Sequence, residues 1–341
     1  MMLWTLLGAT CASLTLTWLL RRYALERRSL IDVPNERSSH RNPTPRGGGV
    51  AIALSFLGLL PVLWMAGLLP SHMLIALCGA GGLTALVGFL DDHRPMPAIW
   101  RLVAHFIAAA WVVGCLGGMP STTLAGVNLP SWLASILATA YLVWLLNLYN
   151  FMDGIDGIAS IEALAVCIGG ILLWLLAVPA SGDWAGPALL AASVCGFCYW
   201  NWPPARIFMG DVGSGFLGVT LGAFSIQAAW AAPQLFWAWT ILLGAFIADA
   251  SVTLLRRVWR GHRYDEAHRS HAYQHAARRY GAHKPVSLAV GAITLFWLLP
   301  LALLVALGRL DAALGLVIAY APLVWLAIWL KAGLPDAPSA R

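Results

Sequence analysis

Five carboxylates stand in three short polar stretches of an otherwise apolar sequence: Asp91 and Asp92, Asp153 and Asp156, and Asp211. Adjacent carboxylates such as Asp91-Asp92 repel one another, and a bound divalent cation relieves that cost. Hard oxygen ligands of this kind suit Mg²⁺. The stretch Asn147-Leu-Tyr-Asn150-Phe-Met-Asp153-Gly-Ile-Asp156-Gly157 spaces its asparagines three apart and its aspartates three apart. In a helix that spacing keeps each pair on one face, and Gly154 and Gly157 let a ligand reach backbone. Asp211 is a lone acid among glycines, in Phe208-Met-Gly-Asp211-Val-Gly-Ser214-Gly, where an apolar run begins. One metal ligand beside a helix N-terminus that receives phosphate has this pattern.

Two basic stretches flank these acids. Pro43-Thr-Pro-Arg46-Gly-Gly-Gly49 lies directly before an apolar run, and its glycines allow backbone to approach an anion. Residues 256–285 hold eight Lys+Arg and five His, with His268, Arg269, His271 and His275 at the centre. No Cys or second clear ligand pair supports zinc there. Phosphate or diphosphate binding by His and Arg fits better, and anchoring to acidic head groups is the plainer alternative. Glu162 and Asp249 lie inside apolar runs, where each could line a cleft or pair with a neighbouring helix. Cys195 and Cys198 read as two small apolar residues one turn apart. Carboxylates alone suggest a cation channel. Carboxylates with Arg, His and glycine turns suggest a Mg²⁺–phosphate site, and its apolar surroundings suggest a lipid substrate.

The elements that must position these residues are membrane helices. Of 341 residues, 60% are hydrophobic and 11% charged, which excludes a soluble enzyme, a disordered chain and a disulfide scaffold. Continuous apolar runs fall at 1–20, 50–69, 73–90, 98–117, 132–149, 158–178, 187–202, 215–232, 235–255, 286–307 and 312–330. Eleven spans are expected, or ten to twelve, because 187–202 is short and 215–232 is rich in glycine. The fold class is all-α polytopic, a single domain over 1–341. The first run precedes Arg21-Arg22, so it reads as a span and not as a cleaved signal. With the N-terminus outside and the C-terminus inside, the inner connections 21–49, 91–97, 150–157, 203–214, 256–285 and the tail, with Arg101, hold 20 of the 21 Lys+Arg. Such asymmetry follows the positive-inside rule. The net charge of +6 is thus a topology signal, with nucleic acid excluded as a partner, and the chemistry faces the cytoplasm.

With five motifs in order on one side, the sequence resembles the polyprenyl-phosphate N-acetylhexosamine-1-phosphate transferases. The resemblance covers about 30–320 and rests on Pro43–Gly49, Asp91-Asp92, Asn147–Gly157, Phe208–Ser214 and His268–His275. It implies a multi-pass protein of the bacterial inner membrane and a phosphoglycosyltransferase reaction. Undecaprenyl phosphate attacks the β-phosphorus of a UDP-N-acetyl amino sugar, UMP leaves, and undecaprenyl-diphospho-sugar stays in the membrane. Mg²⁺ is the implied cofactor, with Mn²⁺ as a substitute, and a homodimer is implied. By resemblance, Asp211 is the chief metal ligand, with Asp92 beside it. Asp91 or Asp92 acts as base on the lipid phosphate, or positions it. Asp156 and Phe208 are implied contacts to uracil. Asn150, Asp153 and Arg46 are expected substrate contacts, and His268, Arg269 and His271 hold phosphate or sugar.

The peptidoglycan branch of the family carries consecutive histidines in its last loop, and the enterobacterial type carries His-x-His-His. This sequence has His-Arg-Ser-His-Ala-Tyr-Gln instead. Its early loop, with Arg-Ser-Ser-His and Pro-Arg-Gly-Gly-Gly, looks closer to the transferases that initiate O-antigen and use N-acetylfucosamine-type or N-acetylglucosamine-type UDP sugars. The competing reading is a lipid-linked sugar flippase or a proton-coupled carrier. Against it, the polar residues cluster on one side, whereas alternating access needs both.

Overall fold

The computed structural model describes residues 1–27, 30–34, 42–179, 181–263 and 268–335. In chain order the helices are α1 (Met2–Arg27), α2 (Gly49–Met65), α3 (Ser71–His93), α4 (Ala98–Cys115), α5 (Ser131–Met152), α6 (Ile158–Ala177), α7 (Ala185–Asn201), α8 (Gly210–Ala231), α9 (Pro233–Leu242), α10 (Gly244–Trp259) and α11 (Ala272–Tyr280). Two further helices, Lys284–Ala306 and Ala312–Trp329, close the chain. Two small antiparallel ribbons interrupt them: β1 (Ile31–Asp32) with β2 (Thr44–Pro45), and β3 (Thr122–Leu124) with β4 (Val127–Leu129).

Among the described residues, eight helices are long and apolar enough to cross a membrane, or nine if α9 and α10 form one span bent by 69°. That is an all-α polytopic membrane protein. The expected eleven spans are not all met by length and apolarity alone. Helices α2 and α7 have 17 residues each, at the short end of the roughly 17–25 that cross a membrane, and are not among the eight. The run 235–255 is also not one rod, since it breaks between α9 and α10. The stretch 256–285, read as a connection, is partly helical: α10 continues into it and α11 lies within it.

Helix α8 is the centre of the molecule. Its apolar window is 94% buried, against 22% for α1 and α4. Between membrane helices there is no hydrophobic drive to associate, so close backbone approach through small residues supplies the packing. The glycines of α8 do this. Gly49 of α2 lies so near Gly213 that a side chain at either would strike the other's backbone. A Cβ on Gly218 would sit 2.6 Å from the Leu145 carbonyl oxygen of α5, and one on Gly88 of α3 would sit 2.5 Å from the Asp211 carbonyl carbon. Phe56 of α2 wedges edge-on against Phe216 and Phe224, at 5.7 and 6.4 Å between ring centres. These contacts draw the ends of α2, α3 and α5 around the start of α8, where Asp211 lies.

Gly88→Ala should therefore cost stability and displace Asp211 at once. Forcing a methyl against unyielding backbone costs about 1–3 kcal/mol. A lower melting temperature in detergent checks the first effect, and weaker turnover of the protein that remains folded checks the second.

Helix Lys284–Ala306 contains a π turn over Thr294–Leu298. Thr294 Oγ1 donates 2.8 Å to Glu162 Oε2 of α6, and Glu162 is wholly buried. Of the two readings of Glu162, pairing with a neighbouring helix is the one the fold adopts.

Candidate active site

Helix α3 ends on the two adjacent acids, and their carboxylates part. Asp91 Oδ1 accepts from the Met96 backbone N–H at 2.6 Å, and Oδ2 takes Arg101 Nη1 at 2.8 Å. Asp91 thus folds the Arg94–Pro97 turn back and ties it to the first turn of α4. Asp92 turns the other way. Its Oδ1 accepts from the Asp211 N–H at 3.3 Å, with the Val212 N–H 3.5 Å from Oδ2. It is a negative group set on the positive end of α8, 4% exposed. Gly210, at φ +76°, has no room for a side chain, because a Cβ would meet Asp92 Oδ2 at 2.5 Å. Arg46 completes this corner: its Nε lies 3.8 Å from Asp92 Oδ1, and its Nη2 donates to the Asp92 carbonyl.

Asp211 faces open space, its side chain 32% exposed. Asn150 Nδ2 donates 2.7 Å to Oδ1, and Arg101 Nη1 lies 3.4 Å from Oδ2. One guanidinium nitrogen thus joins Asp91 of α3 to Asp211 of α8. Asn150 also reaches Ser214 Oγ at 3.3 Å, so α5 is fixed to the first turn of α8.

Arg101, Asn150 and Asp211 line a cavity of about 920 Å³, with Arg46, Asp91 and Asp92 behind its wall. Its polar end holds Arg101, Asn147, Asn150, Asp211, His268, His271 and Gln274. Its apolar wall holds Val87, Ile99, Leu102, Val143, Trp144 and Leu254. Ile99 is 60% exposed on the outside of the bundle, so the cavity reaches the helix surface beside α4.

The basic loop arrives through a buried acid. Asp249 of α10 accepts from the Ala272 and Tyr273 N–H groups at 2.8 and 2.9 Å, capping α11. The Asp249 carboxylate also lies 3.5 Å from His271 Nδ1. His271 stacks on Phe151 at 6.2 Å and on His268 at 5.0 Å. Of the two readings of Asp249, pairing with a neighbouring segment is the one the fold adopts, and it backs the cavity residue His271 without lining the cavity. Burial lowers the His268 imidazole to about 3, with His271 and Arg257 adding to the effect. That favours the neutral imidazole, which can hydrogen-bond to phosphate or sugar.

The other expected site residues lie outside the cavity wall. Asp153 ends α5 half-buried, with no hydrogen-bond or ion-pair partner for its carboxylate among the described residues. Burial, with the nearby charges of Asp211, Asp92 and Asp156, raises it well above the usual carboxylate range. Asp156 accepts from the Ala205 N–H at 3.1 Å and lies 3.2 Å from His283 Nδ1, which fixes the 203–205 turn. Phe208 is held by its backbone: its N–H donates 2.8 Å to Pro45, and its carbonyl accepts from Gly48 at 2.9 Å. Arg269 accepts from Arg278 through its carbonyl at 3.0 Å. The Arg-Ser-Ser-His segment of the early loop lies outside the described residues. Sequence reasoning missed Arg101, counted only as an inner charge, and His105. Both were discoverable as an i, i+4 pair in α4, shortly after the paired aspartates.

Residues 73–229 match the family model described as Glycosyl transferase family 4. The matched segment includes α4, α5 and nearly all of α3 and α8, the helices that carry Asp91, Arg101, Asn150 and Asp211. The match takes in somewhat less than half of the chain. The chain is 33% identical over 253 residues to a decaprenyl-phosphate N-acetylglucosaminephosphotransferase of Mycolicibacterium smegmatis, covering 66% of this chain and 60% of the relative. It is 26% identical over 293 residues to a probable undecaprenyl-phosphate N-acetylglucosaminyl 1-phosphate transferase of Bacillus subtilis, covering 81% and 77%. A phospho-N-acetylmuramoyl-pentapeptide-transferase of Thermodesulfovibrio yellowstonii is 30% identical over 220 residues, covering 54% and 59%. The chain thus spans less than two thirds of the mycobacterial relatives it matches, at 54–60% of their length. The Asp211 cavity is the candidate place for chemistry.

Proposed function

We propose that this chain is a member of glycosyl transferase family 4 and transfers an N-acetyl amino-sugar 1-phosphate from a UDP-sugar to undecaprenyl phosphate, using Mg²⁺. The single observation that carries this reading is the two-part cavity. Its polar end offers Asp211, Arg101, Asn150 and His271, while its apolar wall opens at Ile99 toward the bundle surface. A charged head group and a hydrocarbon tail need that combination. The names of the relatives support the same substrate class, and favour N-acetylglucosamine over N-acetylfucosamine as the sugar.

The donor set suits Mg²⁺. Two carboxylates, Asp91 and Asp211, converge on one cationic nitrogen, which marks the space between them as favourable for positive charge. Among the described residues no three His, Cys, Asp or Glu side chains form a metal cage. Mg²⁺ characteristically takes one or two carboxylates and completes its shell with water and substrate phosphates. Bound there, it would neutralise charge on the diphosphate. Asp211 would hold it, Asp92 would fix the Asp211 backbone, and Asp91 would steady Arg101. Arg101 and His271 would grip phosphate oxygens, and Asn150 would orient Asp211. An oxygen of the lipid phosphate attacks the β-phosphorus, the bond from that phosphorus to the bridging oxygen breaks, and UMP departs with the electron pair. Positioning and charge neutralisation are the main needs of such a transfer.

In this reading the site faces the cytoplasm in the bacterial inner membrane, with the N-terminus periplasmic. The product begins O-antigen or another envelope polysaccharide. Purified protein incubated with undecaprenyl phosphate, Mg²⁺ and a panel of UDP-N-acetyl sugars should release UMP with one preferred sugar. EDTA should stop the release and Mn²⁺ should restore part of it. No UMP from any member of the panel would reject the reading.

A further inference from the structure

On the membrane face that carries the cavity, but outside it, cations and aromatic rings form a second constellation. Arg21 near the end of α1 and Arg206 after α7 both lie over the indole of Trp200, at 5.9 and 5.5 Å from its centre. Arg206 also lies 5.7 Å from the ring of Tyr199. The arrangement is built, not incidental. Trp200 Nε1 donates 3.1 Å to the Leu14 carbonyl, the Arg206 N–H donates 2.8 Å to the Trp200 carbonyl, and Arg21 Nε donates 3.3 Å to the Arg206 carbonyl. Neighbouring Arg22 is neutralised by Glu26 at 2.6 Å. Among the described residues, no carboxylate lies within ion-pair distance of Arg21 or Arg206.

Two like charges against one ring repel each other, and the ring quadrupole offsets only about 0.5–1 kcal/mol per exposed cation. An anion between the guanidinium edges would remove that cost. Tyr199 is 60% exposed beside them, and an aromatic ring at the membrane–water boundary sits at head-group level. We infer that Arg21, Arg206 and Trp200 form a head-group site for an anionic phospholipid of the surrounding bilayer, taking its phosphate diester. The site has a structural reach. The Trp202–Phe208 segment leads straight into Gly210 and Asp211, and Asn201 Nδ2 holds it by donating 3.1 Å to the Ile207 carbonyl. A lipid clamped at Arg206 would therefore steady the approach to α8.

The test uses the full chain in nanodiscs. In phosphatidylglycerol the protein should melt several degrees higher than in phosphatidylcholine. Arg21→Gln/Arg206→Gln should abolish that increment while melting like the parent in phosphatidylcholine. An equal increment in the double variant would overturn the site. Soluble glycerol 3-phosphate added to phosphatidylcholine discs should give no shift, and an increment matching phosphatidylglycerol would overturn the lipid source. Native mass spectrometry on the unmodified protein from mixed discs gives a reading that needs no variant. It should retain phosphatidylglycerol in preference to phosphatidylcholine, and equal retention would contradict the inference.

Discussion

Asp211→Asn is expected to lower turnover about 10²–10³-fold, the scale of losing one well-placed electrostatic group, while the protein still folds and inserts. Asparagine keeps the volume and can still accept the 2.7 Å bond from Asn150. The Asp211 N–H that Asp92 caps is backbone and is not altered. What disappears is the negative charge facing the cavity, 3.4 Å from Arg101. Loss of rate at unchanged melting temperature therefore separates a role in catalysis from a role in packing. Rate and Mg²⁺ dependence, measured by UMP release, should fall together. Unchanged turnover would remove Asp211 from the proposed mechanism.

The second large effect is on stability. Asp249→Ala should cost about 3 kcal/mol or more, since each buried donor left unpaired costs about 1–3 kcal/mol and two are involved. The carboxylate receives the Ala272 and Tyr273 N–H groups and faces His271 Nδ1, all buried. Its loss should loosen the start of α11 and free the His271 ring from the cavity wall. Asp249→Asn keeps one acceptor oxygen and should retain more of the fold. A melting curve in detergent checks the order: parent, then Asn, then Ala. If Ala melts with the parent, Asp249 does not hold α11. Hydrogen exchange at Ala272 and Tyr273 should speed up in the Ala variant before the rest of the chain.

The membrane class was plain in the sequence because charge is so scarce. Asp91, Asp92 and Asp211 were conspicuous for the same reason: polar groups near lipid are costly, so each needs a cause. What each acid does was not legible. Asp91 and Asp92 are sequence neighbours, yet one binds Arg101 and the other caps α8, because successive residues on a helix point about 100° apart. Spacing predicts local faces well and distant partners poorly. Asn150 and Asp211 are such partners, as are Asp249 and the start of α11. The break between α9 and α10 was hidden, since the hydropathy of the run continues across it. Gly49 reads in the sequence as letting backbone approach an anion, and Gly218 only as part of a glycine-rich run. Their function emerges only when the opposing backbone is seen within a Cβ's reach.

The central claim is that the Asp211 cavity moves a phosphoryl group from nucleotide to lipid. The most direct measurement supplies a UDP-N-acetyl sugar labelled at the β-phosphorus, with undecaprenyl phosphate and Mg²⁺, to the protein in sealed vesicles. The account predicts label in the lipid fraction in step with UMP released, and almost none of either with Asp211→Asn. Label that crosses into the vesicle lumen without UMP release would contradict it and favour a carrier.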